Sequence, residues 1–235
     1  MVGLGPGSRD LLTPRALESI RSAEVVIGYK SYTALIEDLI VDQELISSGM
    51  RHEKERARLA VEKALTGKLV VVVSSGDAGV YGMAGLILEL AGDRIPVEIV
   101  AGVTAGTAAA ALLGAPLMND FVVISLSDLL TPWEMIAARL DAAGRGDFVT
   151  VIYNPRSQGR QQQIEKAQEI LLRYRQPQTP VGIVRNAERV EARVVITHLA
   201  NMLEEEIDML STVIVGNSAT RIENGRMITP RGYPL

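Results

Sequence analysis

A run of four valines, Val70 to Val73, followed at once by Ser74-Ser75-Gly76-Asp77-Ala78-Gly79, constrains the fold of this chain more than any other stretch. Consecutive β-branched residues favour a strand and leave it no polar face. The run therefore predicts a strand covered on both sides, as in a parallel sheet with helices on each face. The chemistry then changes abruptly. Glycines let bare backbone approach a ligand or another loop, and Asp77 adds one carboxylate. Two readings follow: a small-molecule site, or a strand-to-helix turn whose Asp77 caps a helix starting near Gly82.

The surrounding order supports the sheet. Thr13-Pro14 marks a helix start running to about Ser22, and Glu24 to Ile27 reads as a strand. A helix is expected over Tyr32 to Ile40, a strand over Glu44 to Ile46, and a helix from Met50 to Leu65 stopped by Gly67. Val97 to Val100 reads as a further strand, followed by Ala101-Gly102-Val103-Thr104-Ala105 and a helix of small residues. Strand and helix alternate to this point, which predicts a parallel α/β domain over residues 1–118. The pattern pauses around Pro116 to Asp120, and after a helix over Gln161 to Arg175 the strands crowd together. Expected helices cover Pro132 to Ala143, Gln161 to Arg175 and Asn201 to Asp208, and Asn224-Gly225 reads as a two-residue hairpin turn. A mixed α/β domain is expected over residues 119–235.

Composition removes several chemistries. The chain has 235 residues and no cysteine, which excludes disulfides, thiolate catalysis and cysteine-held metal within it. Its 24 basic against 28 acidic residues give no electrostatic footprint for nucleic acid. No apolar stretch reaches the roughly 18 to 20 residues that span a bilayer, and the start lacks a signal-peptide pattern. A soluble, cytoplasmic protein is the expectation. The opening Gly3, Gly5 and Gly7 miss G-x-G-x-x-G because Ser8 stands at the third position, and Gly28-Tyr29 stands where a ribose-binding acid is required. Neither a dinucleotide site nor a Walker A site is indicated.

The ordered segments GLGPG, SSGDAGVYG, AGVTAGTAAA and YNPRS resemble the tetrapyrrole methylases. GYKSY, GMRHEKERA, GAPLMNDF, ISLSDLLTPWE, VGIVRNA, VIVGNS and TPRGY extend the resemblance along essentially the whole chain, to the branch acting at C17 of precorrin-3B in cobalamin biosynthesis. The resemblance implies a two-domain enzyme with a parallel N-terminal sheet, a mixed C-terminal sheet and an active-site cleft between them. It also implies a homodimer, an S-adenosylmethionine methyl donor, and a precorrin substrate, with or without cobalt, that is methylated as its ring contracts to a precorrin-4-type product. The alternatives are a methylase of the same fold acting at another precorrin carbon and a noncatalytic tetrapyrrole-binding protein.

By the same resemblance Pro6, Ser75, Gly76, Asp77, Val80, Thr104 and Ala105 should contact S-adenosylmethionine, with Asn154 and Ala187 contributing from the second domain. Lys30, Arg51 and Arg156 are candidates for the substrate's carboxylates, which suit the guanidinium fork. Tyr29, Glu53 and Asp128 are candidates for acid or base work during ring contraction. Related uroporphyrinogen methylases carry an acid where Tyr29 stands, so a base role is not transferred to it from them.

Overall fold

The computed structural model describes residues 1–157 and 159–234, divided into two compact units, Met1–Ala105 and Gly106–Leu235. The first contains β1 (Val2–Gly3), α1 (Pro14–Ser22), β2 (Val25–Tyr29), α2 (Lys30–Thr33), β3 (Glu44–Ser48), α3 (Glu53–Leu65), β4 (Val70–Ser74) and α4 (Ala84–Ala91). Its sheet has the order β1-β4-β2-β3 with every pair parallel. The valine run is buried on both faces, as expected. Val71 and Val73 pack with Ala16 and Ile20 of α1, whereas Val72 packs with Ala57 and Ala60 of α3 and Ala84 and Ile87 of α4. Thr13 caps α1, its side-chain oxygen accepting the Ala16 N–H at 3.2 Å.

The order of connections creates a switch point. From β1 to β2 and on to β3 the chain moves one way along the sheet. From β3 to β4, and from β4 to Val100 beyond β1, it moves back. The loops leaving β1 and β4 therefore turn to opposite faces, and the crevice beyond the carboxyl ends of such neighbours is where α/β sheets bind ligands.

Three expected elements of this unit differ. Residues 32–40 do not form one α-helix: after α2 the chain tightens into a 3₁₀ turn over Ala34–Leu39. Ile36 and Leu39, three residues apart, pack on the α1 side of the sheet, and that spacing aligns side chains in a 3₁₀ geometry. The expected strand Val97 to Val100 is reduced to one bridge, Val2 with Val100, because β1 is only two residues long and offers no further ladder. The helix expected from Met50 begins at Glu53.

The second unit contains β5 (Gly114–Ala115), β6 (Phe121–Ser125), α6 (Trp133–Arg145), β7 (Val149–Tyr153), α7 (Gln162–Leu171), β8 (Pro180–Arg185), β9 (Arg193–His198), β10 (Ser211–Val215), β11 (Arg221–Glu223) and β12 (Arg226–Ile228). It is preceded by α5 (Ala105–Leu113), which starts on the last residue of the first unit. The main sheet has the order β6-β7-β10-β8-β9, with β6 parallel to β7 and the remaining pairs antiparallel. The core joins Ile136 and Leu140 of α6 and Ile164 and Leu171 of α7 to Ile152 and Val213 of the sheet. Burying each such side chain contributes about 1.5 to 3 kcal/mol. Asn224 and Gly225 both have positive φ, 49° and 71°, the geometry of the expected hairpin turn. Residues 199–204 form a 3₁₀ turn where an α-helix over Asn201 to Asp208 is expected, and α7 ends at Leu171 rather than Arg175.

The division falls at Ala105, earlier than the boundary expected at residue 118, because α5 packs within the second unit. Its Gly106 N–H donates to the Tyr153 hydroxyl at 2.6 Å, and Leu113 lies against Gly182 of β8. The first N–H groups of a helix have no partner inside it, so Tyr153 supplies one. Tyr153→Phe is expected to cost about 1 to 3 kcal/mol by leaving that buried N–H without this acceptor. Chemical denaturation followed by circular dichroism measures it.

Candidate functional site

At the switch point β1 and β4 continue into each other's loops. The Gly5 N–H donates to the Gly76 carbonyl at 3.0 Å and the Gly76 N–H to the Gly5 carbonyl at 2.7 Å, which sets Pro6 beside the central loop. Gly76 has φ +66°, a conformation that costs any side chain strain. A third loop joins them. An added Cβ on Gly102 would stand 2.3 Å from the Gly76 carbonyl oxygen and 2.8 Å from Gly3, so three segments of backbone meet with no room for a methyl group.

Asp77 holds this junction. Its Oδ1 accepts the Gly79 N–H at 2.7 Å and its Oδ2 accepts the Gly102 N–H at 2.9 Å. Of the two readings of Asp77, the helix cap is not met: α4 begins at Ala84 with Met83 as its cap residue, and Asp77 braces two loops. Around the junction, Ser75, Thr104 and Ala105 are half-buried and Val80 is 38% exposed. Gly76 lies so close to the third loop that its missing Cβ position is 3.6 Å from the Ala105 nitrogen. Backbone groups, two hydroxyls and an apolar wall within one small region fit a ligand with an amino-acid end, a ribose and an adenine, the parts of S-adenosylmethionine.

The other candidates of the first unit lie on loops at the same sheet edge. Tyr29 ends β2, half-buried, with its ring edge-on to Tyr32 at 5.1 Å, and Lys30 beside it is exposed. Arg51 is exposed with φ +67°, and its N–H donates to Glu53 Oε1 at 3.3 Å. Glu53 thus spends one oxygen on the loop before α3. Tyr81, absent from the expected set, is 56% exposed with φ +54°. Non-glycine residues in this region are costly and gather where surrounding structure fixes a functional geometry.

In the second unit β6, β7 and β8 run in the same direction, so Asp128, Asn154, Arg156 and Ala187 follow strands that end on one edge. Asn154, at φ +51°, donates its side-chain N–H to Ser125 Oγ at 2.9 Å, while its carbonyl accepts from Arg160 Nη2 at 2.9 Å. Asp128 Oδ2 accepts from Gln163 Nε2 at 2.7 Å. Arg156 is 3.8 Å from Glu165, and Ala187 is buried, leaving backbone as its means of contact. The Nε atoms of Arg156 and Arg160 and the Oε1 of Gln163 are buried without a hydrogen-bond partner among the described residues. Burial pushes the Arg160 guanidinium below its ordinary range, against the opposing pull of Asp128. Arg160 was not readable as a site residue, since its partners Asn154 and Met209 are set by the fold.

The family model for Tetrapyrrole (Corrin/Porphyrin) Methylases matches residues 1–203. The chain is 50% identical to a Cobalt-factor III methyltransferase of Priestia megaterium, over 99% of this chain and 44% of that protein. It thus spans less than half the length of that relative. It is also 49% identical to a Probable cobalt-factor III C(17)-methyltransferase of Salmonella typhimurium, over 100% of this chain and 99% of that one. The solved structure of the methyltransferase CobJ has a TM-score of 0.91 at 39% identity, covering 97% of this chain and 98% of that chain. Uroporphyrin-III C-methyl transferase from Thermus thermophilus, complexed with S-adenyl homocysteine, has a TM-score of 0.68 at 27% identity, covering 92% and 90%.

Proposed function

The chain belongs to the tetrapyrrole methylase family, and from that premise we propose that it is an S-adenosylmethionine-dependent C17-methyltransferase of cobalamin biosynthesis. Its substrate is cobalt-factor III or metal-free precorrin-3B, and methylation is joined to ring contraction. The full-length likeness to the Salmonella relative supports the cobalt-bearing substrate. The observation that carries methyl transfer is the junction of Gly3, Gly76 and Gly102 at the switch point, braced by Asp77. A homodimer, as the family resemblance suggests, and a cytoplasmic location with no nucleic-acid or membrane partner, as composition suggests, complete the reading.

Bound there, S-adenosylmethionine supplies an electrophilic methyl group on a sulfonium. Ser75, Gly76, Val80, Thr104 and Ala105, with Pro6, would hold it by backbone, hydroxyl and apolar contact, and Asn154 and Ala187 are the cofactor residues that the family resemblance names within the second unit. Asp77 is assigned with them as a cofactor contact, and its two oxygens, each accepting one backbone N–H, also brace the loops that carry the other contacts. Lys30, Arg51 and Arg156 take substrate carboxylates. Holding the nucleophilic carbon about 3 to 3.5 Å from the methyl group supplies much of the acceleration by positioning alone. Tyr29, Glu53 and Asp128 are the groups assigned to move protons during ring contraction.

The test is incubation with S-adenosylmethionine and cobalt-factor III or precorrin-3B, followed by mass spectrometry and absorption spectroscopy. One added methyl and the spectrum of a contracted ring are expected. A methylated but uncontracted product contradicts the coupled reaction, and no methyl incorporation into either substrate contradicts the assignment.

A further inference from the structure

Arg56, in the first turn of α3, is 4% exposed, and no carboxylate oxygen lies within 4.0 Å of it among the described residues. A guanidinium taken out of water without a counter-ion costs stability unless its donors are well used. Here they are used on loops. Nε donates to Ser48 Oγ at 2.9 Å and Nη2 to the Gly49 carbonyl at 2.8 Å, while Nη1 points at Met83 Sδ at 3.1 Å. Ser48 and Gly49 lead into Arg51 and Glu53, and Met83 closes the loop that begins at Ser75. A thioether is a weak acceptor, so the 48–51 loop receives most of the directional bonding.

We propose that Arg56 is a positioning residue: its buried fork fixes the 48–51 loop so that Arg51 meets a substrate carboxylate in one geometry. The inference rests on the reading of Arg51 as a substrate contact. Leucine or methionine in this place would fill the same space without the desolvation cost. The cation's donors are spent on the chain entering α3 and on Met83. An arginine kept only for stability would behave in the opposite way on removal.

Arg56→Met and Arg56→Lys separate these roles. For Arg56→Met the expected result is a KM for the tetrapyrrole raised about tenfold, a Kd for S-adenosylhomocysteine within about twofold of the parent, and a melting temperature unchanged or higher. Arg56→Lys, retaining charge but only a point donor, is expected to fall between the two in KM. A melting temperature lowered in step with activity, or an unchanged KM in Arg56→Met, overturns the proposal. If the parent protein turns over no tetrapyrrole at all, the functional reading fails instead. The thermal shift of Arg56→Met is then read alone, and a fall in it still overturns the positioning role.

Discussion

Gly102→Ala is expected to weaken S-adenosylhomocysteine binding by about a hundredfold, or ~2.7 kcal/mol, while leaving the chain folded. The added methyl group would meet the Gly76 carbonyl oxygen at 2.3 Å and the carbonyl carbon and oxygen of Gly3 at 2.8 Å. All of these are backbone atoms. No flexible side chain can swing aside, so the loops after β1 and β4 must separate from the third, and the surfaces presented to the cofactor separate with them. Overpacking of this kind typically costs about 1 to 3 kcal/mol of stability. Calorimetric titration reads the binding, and circular dichroism reads the fold. Gly85→Ala provides the contrast: Gly85 lies within α4 with nothing within 4 Å of the new Cβ. Relief of glycine's poor helix propensity should stabilise that variant by up to about 1 kcal/mol without altering cofactor affinity. Equal effects from the two substitutions would refute the steric account.

Asp77→Ala and Asp77→Asn carry the second large effect. Alanine leaves the half-buried Gly102 N–H without its acceptor, and a buried unsatisfied donor costs about 1 to 3 kcal/mol. A tenfold or greater loss of cofactor affinity is expected, since about 1.4 kcal/mol of loop misplacement suffices. Asparagine discriminates between mechanisms. The brace needs two acceptors facing two N–H groups. An amide offers one acceptor and turns a donor toward the other N–H, so Asp77→Asn should resemble Asp77→Ala. A role confined to direct hydrogen bonding of a cofactor hydroxyl or amine would largely survive in the amide. An Asp77→Asn variant with the parent's affinity would therefore contradict the brace.

What was legible in the sequence was written in local chemistry. The valine run, the Thr13-Pro14 helix start and the Asn224-Gly225 turn each depend on the conformational preferences of a few adjacent residues, and each is found as expected. The candidate residues of the first unit fell on the loops at one sheet edge because glycine-rich turns mark strand ends. The functions of individual side chains were less legible, because they depend on partners brought together by the fold. Asp77 reads locally as a cap, yet one of its acceptors serves Gly102, a residue on another loop. Arg56 lies in a charged segment that carries no local sign of burial, yet it is buried against Ser48, Gly49 and Met83. The small-residue helix α5 carries no signal of which sheet it joins, and that is settled by Tyr153 and Gly182.

The central claim is that the loops meeting at Gly3, Gly76 and Gly102 form the cofactor site, and amide hydrogen exchange with and without saturating S-adenosylhomocysteine tests it most directly. Protection is predicted at residues 4–8, 75–80 and 102–106, with the N-terminal ends of β2, β3 and β4 unchanged. Unaltered exchange across those three loops, under conditions where calorimetry registers binding, would contradict it.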